Sequence, residues 1–138
     1  MAEDHRQRLG DAGERTAEHL LCESGLEIIH RKWRDGRCGE LDLIARDSHT
    51  RTVVAVEVRT RIGVRCGTPL ESVDRRKIRI LRRLAGAWAA RNDRSLPMRI
   101  DIVAITLPCS ARQRISRGDI PDDLRELGAT CEWIRQVA

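Results

Sequence analysis

The chain has 138 residues, of which 41% are hydrophobic and 34% charged, with a net charge of +5. A chain of this length can bury a core without disulfide or metal staples, so one domain is expected. No apolar run approaches the roughly 20 residues needed to cross a bilayer, and MAEDHRQRLGDAGER lacks the apolar centre of a signal peptide, so the expectation is a cytoplasmic protein with no membrane partner.

Residues 1–10 read as a flexible N-terminal tail and residues 11–138 as the single domain. A helix is predicted from about Ala12 to Ser24, with Asp11 as N-cap, Glu14 as its capping-box partner and Gly25 as the stop. Ala17, Leu20, Leu21 and Ser24 form its inward stripe, and Glu14 sits on the stripe's edge, where it can also point toward a sheet. Leu26 to Trp33 reads as a strand, Asp35-Gly36 as a turn, and Cys38 to Arg46 as a second strand. A loop near Ser48 to Arg51 leads to a third strand, Thr52 to Thr60, and residues 61–69 read as loop. A long helix is predicted over Ser72 to Arg91, capped by Ser72, with Ile78, Leu81, Leu84, Ala85 and Trp88 as its buried stripe. Met98 to Leu107 alternates like a strand. Pro108 to Ile120 reads as loop, Asp122 to Leu127 as a short helix and CEWIRQV as a last short strand. The order α-β-β-β-α-β, with a small C-terminal addition, indicates an α/β fold: a central mixed β-sheet flanked by helices.

The five cysteines are widely spaced and form no CxxC, which argues against a disulfide framework and against a zinc site. Reduced thiols are expected, and the histidines do not cluster.

The hairpin from Gly39 to Arg61 carries the first chemical signal. With its turn centred on Ser48 to Arg51, paired positions sum to 99, so Asp42 lies opposite Glu57 and Glu40 opposite Arg59. Strand alternation puts these four on one face and Leu41, Leu43, Val54, Val56 and Val58 on the other. Opposed residues have Cβ atoms about 5 Å apart, where like charges repel. A hard cation relieves that repulsion. Mg²⁺ (or Mn²⁺) takes one or two carboxylates, keeps several waters and accepts phosphate oxygens. The plainer readings are a Glu40–Arg59 ion pair, hydrogen bonds from arginines to Asp42 and Glu57, and a capping role for Glu14.

The second signal is charge. From Arg59 to Arg91 there are ten basic residues against Glu71 and Asp74. Arg61, Arg75, Arg76, Lys77, Arg79, Arg82 and Arg83 are the candidates to hold a nucleic-acid backbone. A solvated helix face in an arginine-rich chain is the plain alternative. With three Trp, no Phe and no Tyr, a base-stacking platform is not expected, so contacts should go to the backbone.

With GERTAEHLL, GELDLIA, VVAVEVRTR, GTPLESVDRRK and MRIDIVAI in that order, residues 13–106 resemble the YraN family of small bacterial proteins. The resemblance implies a restriction-endonuclease-like fold, similar to archaeal Holliday-junction resolvases, and a site of the pattern Asp…Glu-x-Lys with a supporting helix glutamate. Carried over by position, Asp42 is the first acid, Glu57 the second and Glu14 the helix acid. Glu40 falls in the GELDL block, and Arg99 and Asp101 in the block that supports the site structurally. The backbone carbonyl of Val58 would complete the protein ligands of the metal. One position departs from the pattern: Arg59 stands where the family has lysine. Arginine can stabilise charge but cannot act as a base. Lys77 could in principle reach the site, although a charge on such a helix ordinarily faces solvent.

These readings lead to a metal-dependent nuclease that hydrolyses phosphodiester bonds in DNA, with branched structures as candidate substrates. Two alternatives stay open: a catalytically degenerate nucleic-acid-binding protein of the same fold, and a protein-interaction module with a basic helix. A homodimer is also left open, since related nucleases often pair to cut two strands.

Overall fold

The first helix starts well before the expected point. In the computed structural model, which describes residues 3–63 and 73–138, α1 runs from Glu3 to Glu23. Residues 3–10, expected as a tail, are therefore helical, and Leu9 is buried with Ala12, Ala17 and Leu21. The apolar stripe simply continues one turn and more toward the N-terminus. Asp11 is consequently no N-cap. It lies mid-helix and pairs with Lys32 at 3.1 Å. Ser24 is exposed rather than inward. Gly25 does end the helix, at φ +91°, with its N–H donated to the Cys22 carbonyl at 3.0 Å. A left-handed residue of this kind favours glycine.

The strands are β1 (Glu27–Arg34), β2 (Glu40–Asp47), β3 (Thr52–Ile62), β4 (Met98–Leu107) and β5 (Thr130–Ile134). They form one sheet in the order β1-β2-β3-β4-β5. Pairing is antiparallel throughout except between β3 and β4, which are parallel. That parallel pair is connected through α2 (Arg75–Arg91), as parallel neighbours require a crossover. The β2–β3 register is the expected one, with Leu43 opposite Val56 and Ile44 opposite Ala55. Asp47 closes the hairpin by accepting the N–H groups of His49 and Thr50. Cys66, the expected Ser72 cap and most of the expected loop over 61–69 lie outside the described residues. The cap of α2 is Asp74, which accepts the Lys77 N–H at 2.9 Å.

Both faces of the sheet are covered. On one, α1 packs on Leu43, Ala45, Val54, Val56, Val103 and Ile105. On the other, Leu81, Leu84, Ala85 and Trp88 of α2 pack on Leu41, Ile44, Val53, Ala55 and Ile100. Ile78 lies only half inside this stripe.

The C-terminal segment is more ordered than a loop. A 3₁₀ turn over Cys109–Ala111 leads into α3 (Arg112–Ser116), and a second turn covers Leu124–Leu127. Ala111, Ile115, Leu124 and Leu127 join the α1 side of the core. The buried Thr16 hydroxyl ties the two ends together by accepting the Leu124 N–H at 2.8 Å. Asp101, fully buried, accepts from Arg99 Nε at 3.0 Å, from Trp133 Nε1 at 2.9 Å and from the Gln136 N–H at 2.8 Å. Arg99 and Asp101 thus anchor the C-terminal strand.

Candidate functional site

β3 is the longest strand, with 11 residues, and its pairing with β2 stops at Leu43 opposite Val56. Toward Glu40, β2 stays paired with β1 alone. The two strands part at this point, and the Val58 N–H is taken by a side chain: Asp42 Oδ2 accepts it at 2.8 Å.

Strand alternation also slips here. Leu41 packs with the α2 cluster while Leu43 packs with the α1 cluster. Asp42 lines the α1 side, in a cleft of about 320 Å³ with Arg6, Leu9, Gly10, Glu14, Val58 and Thr60. β1 carries a matching irregularity. Arg31 pairs with Glu18 of α1, and its neighbour Lys32, at φ +50°, also turns to α1. Two consecutive side chains can share a face only where the backbone leaves the extended region.

The four hairpin charges therefore do not share one face. Glu40 pairs with Arg34 at 2.9 Å rather than with Arg59, because β2 has left β3 and follows β1 there. Arg59 instead reaches back along its own strand to Glu57, Nη2 to Oε2 at 3.1 Å. Glu57 is buried, its side chain only 6% exposed, and its second cation is Lys77 of α2, Nζ to Oε2 at 3.4 Å. Glu14 is held by Lys32 at 3.0 Å. Burial raises the Glu14 carboxyl above its usual range, against the hydrogen bond from Lys32.

Asp42 stands between these acids with no cation of its own among the described residues. Its pKa is pushed up to about 8, first by burial, then by the charge of Glu57, and further by Glu14; the Val58 amide opposes the shift. The proton shared by the two carboxyls is favoured on Asp42, because Glu57 also has Arg59 and Lys77 beside it, whereas Asp42 has the Val58 amide and Glu57 itself.

Along α2, Arg75, Arg76, Arg79, Arg82 and Arg83 are exposed and Lys77 is half-buried. Arg61 donates to Thr106 Oγ1 at 3.3 Å. Arg91, also in the basic block, is paired with Asp35 at 2.6 Å.

Arg6 escapes sequence reasoning, and Lys77 is raised there only as a side chain able to reach the site. Arg6 lies in a stretch that reads as a tail, yet it follows the inward face that continues through Leu9 and Gly13. Lys77 reads as one of the solvent-facing charges, although it sits four residues before Leu81 and seven before Leu84, on the buried stripe itself.

Fold and site together define an α/β protein with a mixed five-stranded sheet, parted at one hairpin, where paired carboxylates meet a basic helix. The model of the uncharacterised protein family UPF0102 matches residues 13–105. The chain belongs to this family, the one its motifs resemble under the name YraN. A UPF0102 protein of Mycobacterium ulcerans (strain Agy99) is 45% identical over 112 residues, covering 80% of this chain and 91% of that one. A UPF0102 protein of Mycobacterium tuberculosis (strain ATCC 25618 / H37Rv) is 48% identical over 101 residues, covering 72% and 78%. Among solved structures, "Structure of EndoMS-dsDNA2 complex" superposes with a TM-score of 0.38 at 18% identity, over 64% of this chain and 35% of that one. At that level the likeness carries no functional weight.

Proposed function

We propose that this protein is a metal-dependent nuclease that hydrolyses phosphodiester bonds in DNA, with Asp42 and Glu57 as the acids of the site. The observation that carries this reading is the Asp42 carboxyl: half-buried against Glu57, without a cation among the described residues, and pushed up to about 8. A protein that needed Asp42 only for structure would gain by pairing it, as it pairs Glu14, Glu40 and Glu57.

The donor set suits a hard ion that keeps several waters. Asp42 and Glu57 offer oxygen ligands, and the Val58 carbonyl leaves the strand on the same edge as its N–H. Among the described residues no three His, Cys, Asp or Glu side chains converge into a closed metal group. An ion held by two carboxylates and water fits; a fully protein-caged one does not. Mg²⁺ or Mn²⁺ bound there would polarise the phosphoryl group and activate water. Asp42 must lose its proton to bind, and the amide of Val58 fixes the orientation of its carboxylate. Arg59, 3.1 Å from Glu57 Oε2, stabilises the charge that develops on the phosphoryl oxygens. The exposed arginines of α2 hold the flanking backbone, and the absence of Phe and Tyr favours backbone contact over base stacking.

A second reading, binding of DNA without cleavage, draws on Glu57, whose carboxylate already has Arg59 and Lys77 as partners. Incubating the protein with a labelled four-way DNA junction in Mg²⁺ or Mn²⁺ separates the two. Nicked product that disappears with EDTA, with Asp42→Asn and with Glu57→Gln supports the nuclease. Tight binding with no product in either metal leaves the binding reading in its place.

A further inference from the structure

Resting on the nuclease reading, we infer that Lys77 of α2 is a further catalytic residue beside Glu57, and serves the attacking water rather than the DNA backbone.

The geometry sets Lys77 apart from the other basic residues of its helix. Arg75, Arg76, Arg79, Arg82 and Arg83 are exposed; Lys77 is half-buried, with its side chain 33% exposed and its Nζ 3.4 Å from Glu57 Oε2. Its position is fixed from both ends. Asp74 caps α2 by accepting the Lys77 N–H at 2.9 Å, and the following turns are anchored by Leu81 and Leu84 in the core. Such anchoring fixes where the side chain leaves the helix, so Nζ is delivered to the acid pair by the packing of α2.

Glu57 has more cation than it needs. Arg59 Nη2 already lies 3.1 Å from the same oxygen, Oε2. Two cations on one carboxylate oxygen leave surplus positive charge in a partly buried place, where it is costly unless an anion comes to it. The Arg59 Nε is buried and has no hydrogen-bond acceptor among the described residues. Arg59 and Lys77 are therefore not redundant. The planar guanidinium, on a side chain 40% exposed, suits phosphoryl oxygens. The compact ammonium of Lys77, with three donors and an ion-pair contact to Glu57, suits a single water beside that carboxylate.

In the step this assigns, the oxygen of a water forms a new bond to phosphorus and one bridging P–O bond breaks. The water's proton goes to solvent, and the departing oxygen takes a proton from solvent. No electrons are exchanged with any other group. Lys77 donates a hydrogen bond to the attacking oxygen as negative charge grows on it, and Arg59 does the same for the non-bridging oxygens.

The test is a rescue experiment on the full chain with a labelled junction in Mn²⁺ and Mg²⁺. Lys77→Gln should lower the cleavage rate by about 100-fold, the loss typical of one transition-state donor. Junction affinity should stay within about twofold, since the exposed arginines of α2 still hold the backbone. Arg59→Lys introduced into Lys77→Gln should then recover part of that rate, because it returns an ammonium to the neighbourhood of Glu57 by the other route while giving up the guanidinium at the phosphoryl oxygens. If cleavage is unchanged in Lys77→Gln, the lysine is not involved and the nuclease reading survives without it. If cleavage and junction binding fall together, or if the rate falls with the melting temperature and Arg59→Lys recovers neither, Lys77 is a DNA contact or a structural partner of Glu57, and the assignment is wrong. If neither the native chain nor Arg59→Lys cleaves in either metal, the nuclease reading fails and takes this inference with it.

Discussion

Asp42 accepts the N–H of Val58, sixteen residues further along the chain, at 2.8 Å, where the ladder between their two strands has already ended. A side chain here replaces a missing backbone acceptor. It fixes a carboxylate in the gap between β2 and β3 beside Glu57, and the raised pKa of Asp42 follows from that confinement.

The first prediction concerns pH. In the unfolded chain Asp42 titrates near the ordinary value of about 3.9, and in the folded chain near about 8. Between those limits the folded state holds a proton that the unfolded state has lost, so stability falls as pH rises across the window. Asparagine resembles the protonated acid and does not titrate. Asp42→Asn should therefore match the native protein near pH 4 and exceed it at pH 8, by on the order of a few kcal/mol. Urea melts at the two pH values check this. Equal stability differences at both would mean that Asp42 does not carry the proton.

Gly13 sets how closely α1 approaches the sheet. A Cβ built there would lie 1.9 Å from Thr60 Oγ1 and 3.1 Å from Thr60 Cβ, whereas one at Gly10 meets nothing within 4 Å. The same substitution should therefore have opposite signs three residues apart. Gly10→Ala should stabilise by about 0.5–1 kcal/mol through helix propensity. Gly13→Ala should destabilise by about 1–3 kcal/mol by overpacking, and Thr60→Ala should relieve part of it. Thermal melts of the three variants decide.

The exposed arginines of α2 are expected to act through charge alone. Replacing Arg79, Arg82 and Arg83 together by glutamine should leave stability within about 1 kcal/mol, as for exposed sites away from special contacts. Junction binding should weaken, and the slope of log K against log salt should flatten by about 0.9 for each phosphate no longer neutralised. An unchanged slope would place the DNA elsewhere on the surface.

Asp101 is a structural acid. Its donors come from three residues, Arg99, Trp133 and Gln136, and its side chain is 0% exposed. Asp101→Ala should cost about 3–5 kcal/mol, as removal of one partner from a buried charged pair does. Amide exchange should quicken first in β5 and in residues 135–138, which hang on Asp101 and Ile100. Uniform quickening over the whole sheet would contradict this local role.

The hydrophobic periods locate β1 to β4 and α2 to within a few residues, and the hairpin register follows from symmetry about its turn. The start of α1 is misleading in the sequence because Asp11 and Glu14 imitate a capping box. Their carboxylates are used instead by Lys32, a residue on another element. The stretch from Pro108 to Ile120 reads as loop because its buried residues, Ala111 and Ile115, are too few to show a period. Arg99 and Asp101 stand out as a block, but the other partners of Asp101 lie 32 and 35 residues further on, at Trp133 and Gln136.

By itself, the sequence determined the sheet-and-helix order, the two acids on neighbouring strands and the concentration of positive charge beside them. These depend on local periodicity and on spacing, which the chain carries along its length. The tertiary structure alone decided which cation meets which acid. Glu40 goes to Arg34, Glu57 to both Arg59 and Lys77, and Asp42 to an amide. Those choices depend on where β2 parts from β3 and on how deeply α2 is seated, and both are set by packing between elements far apart in the chain.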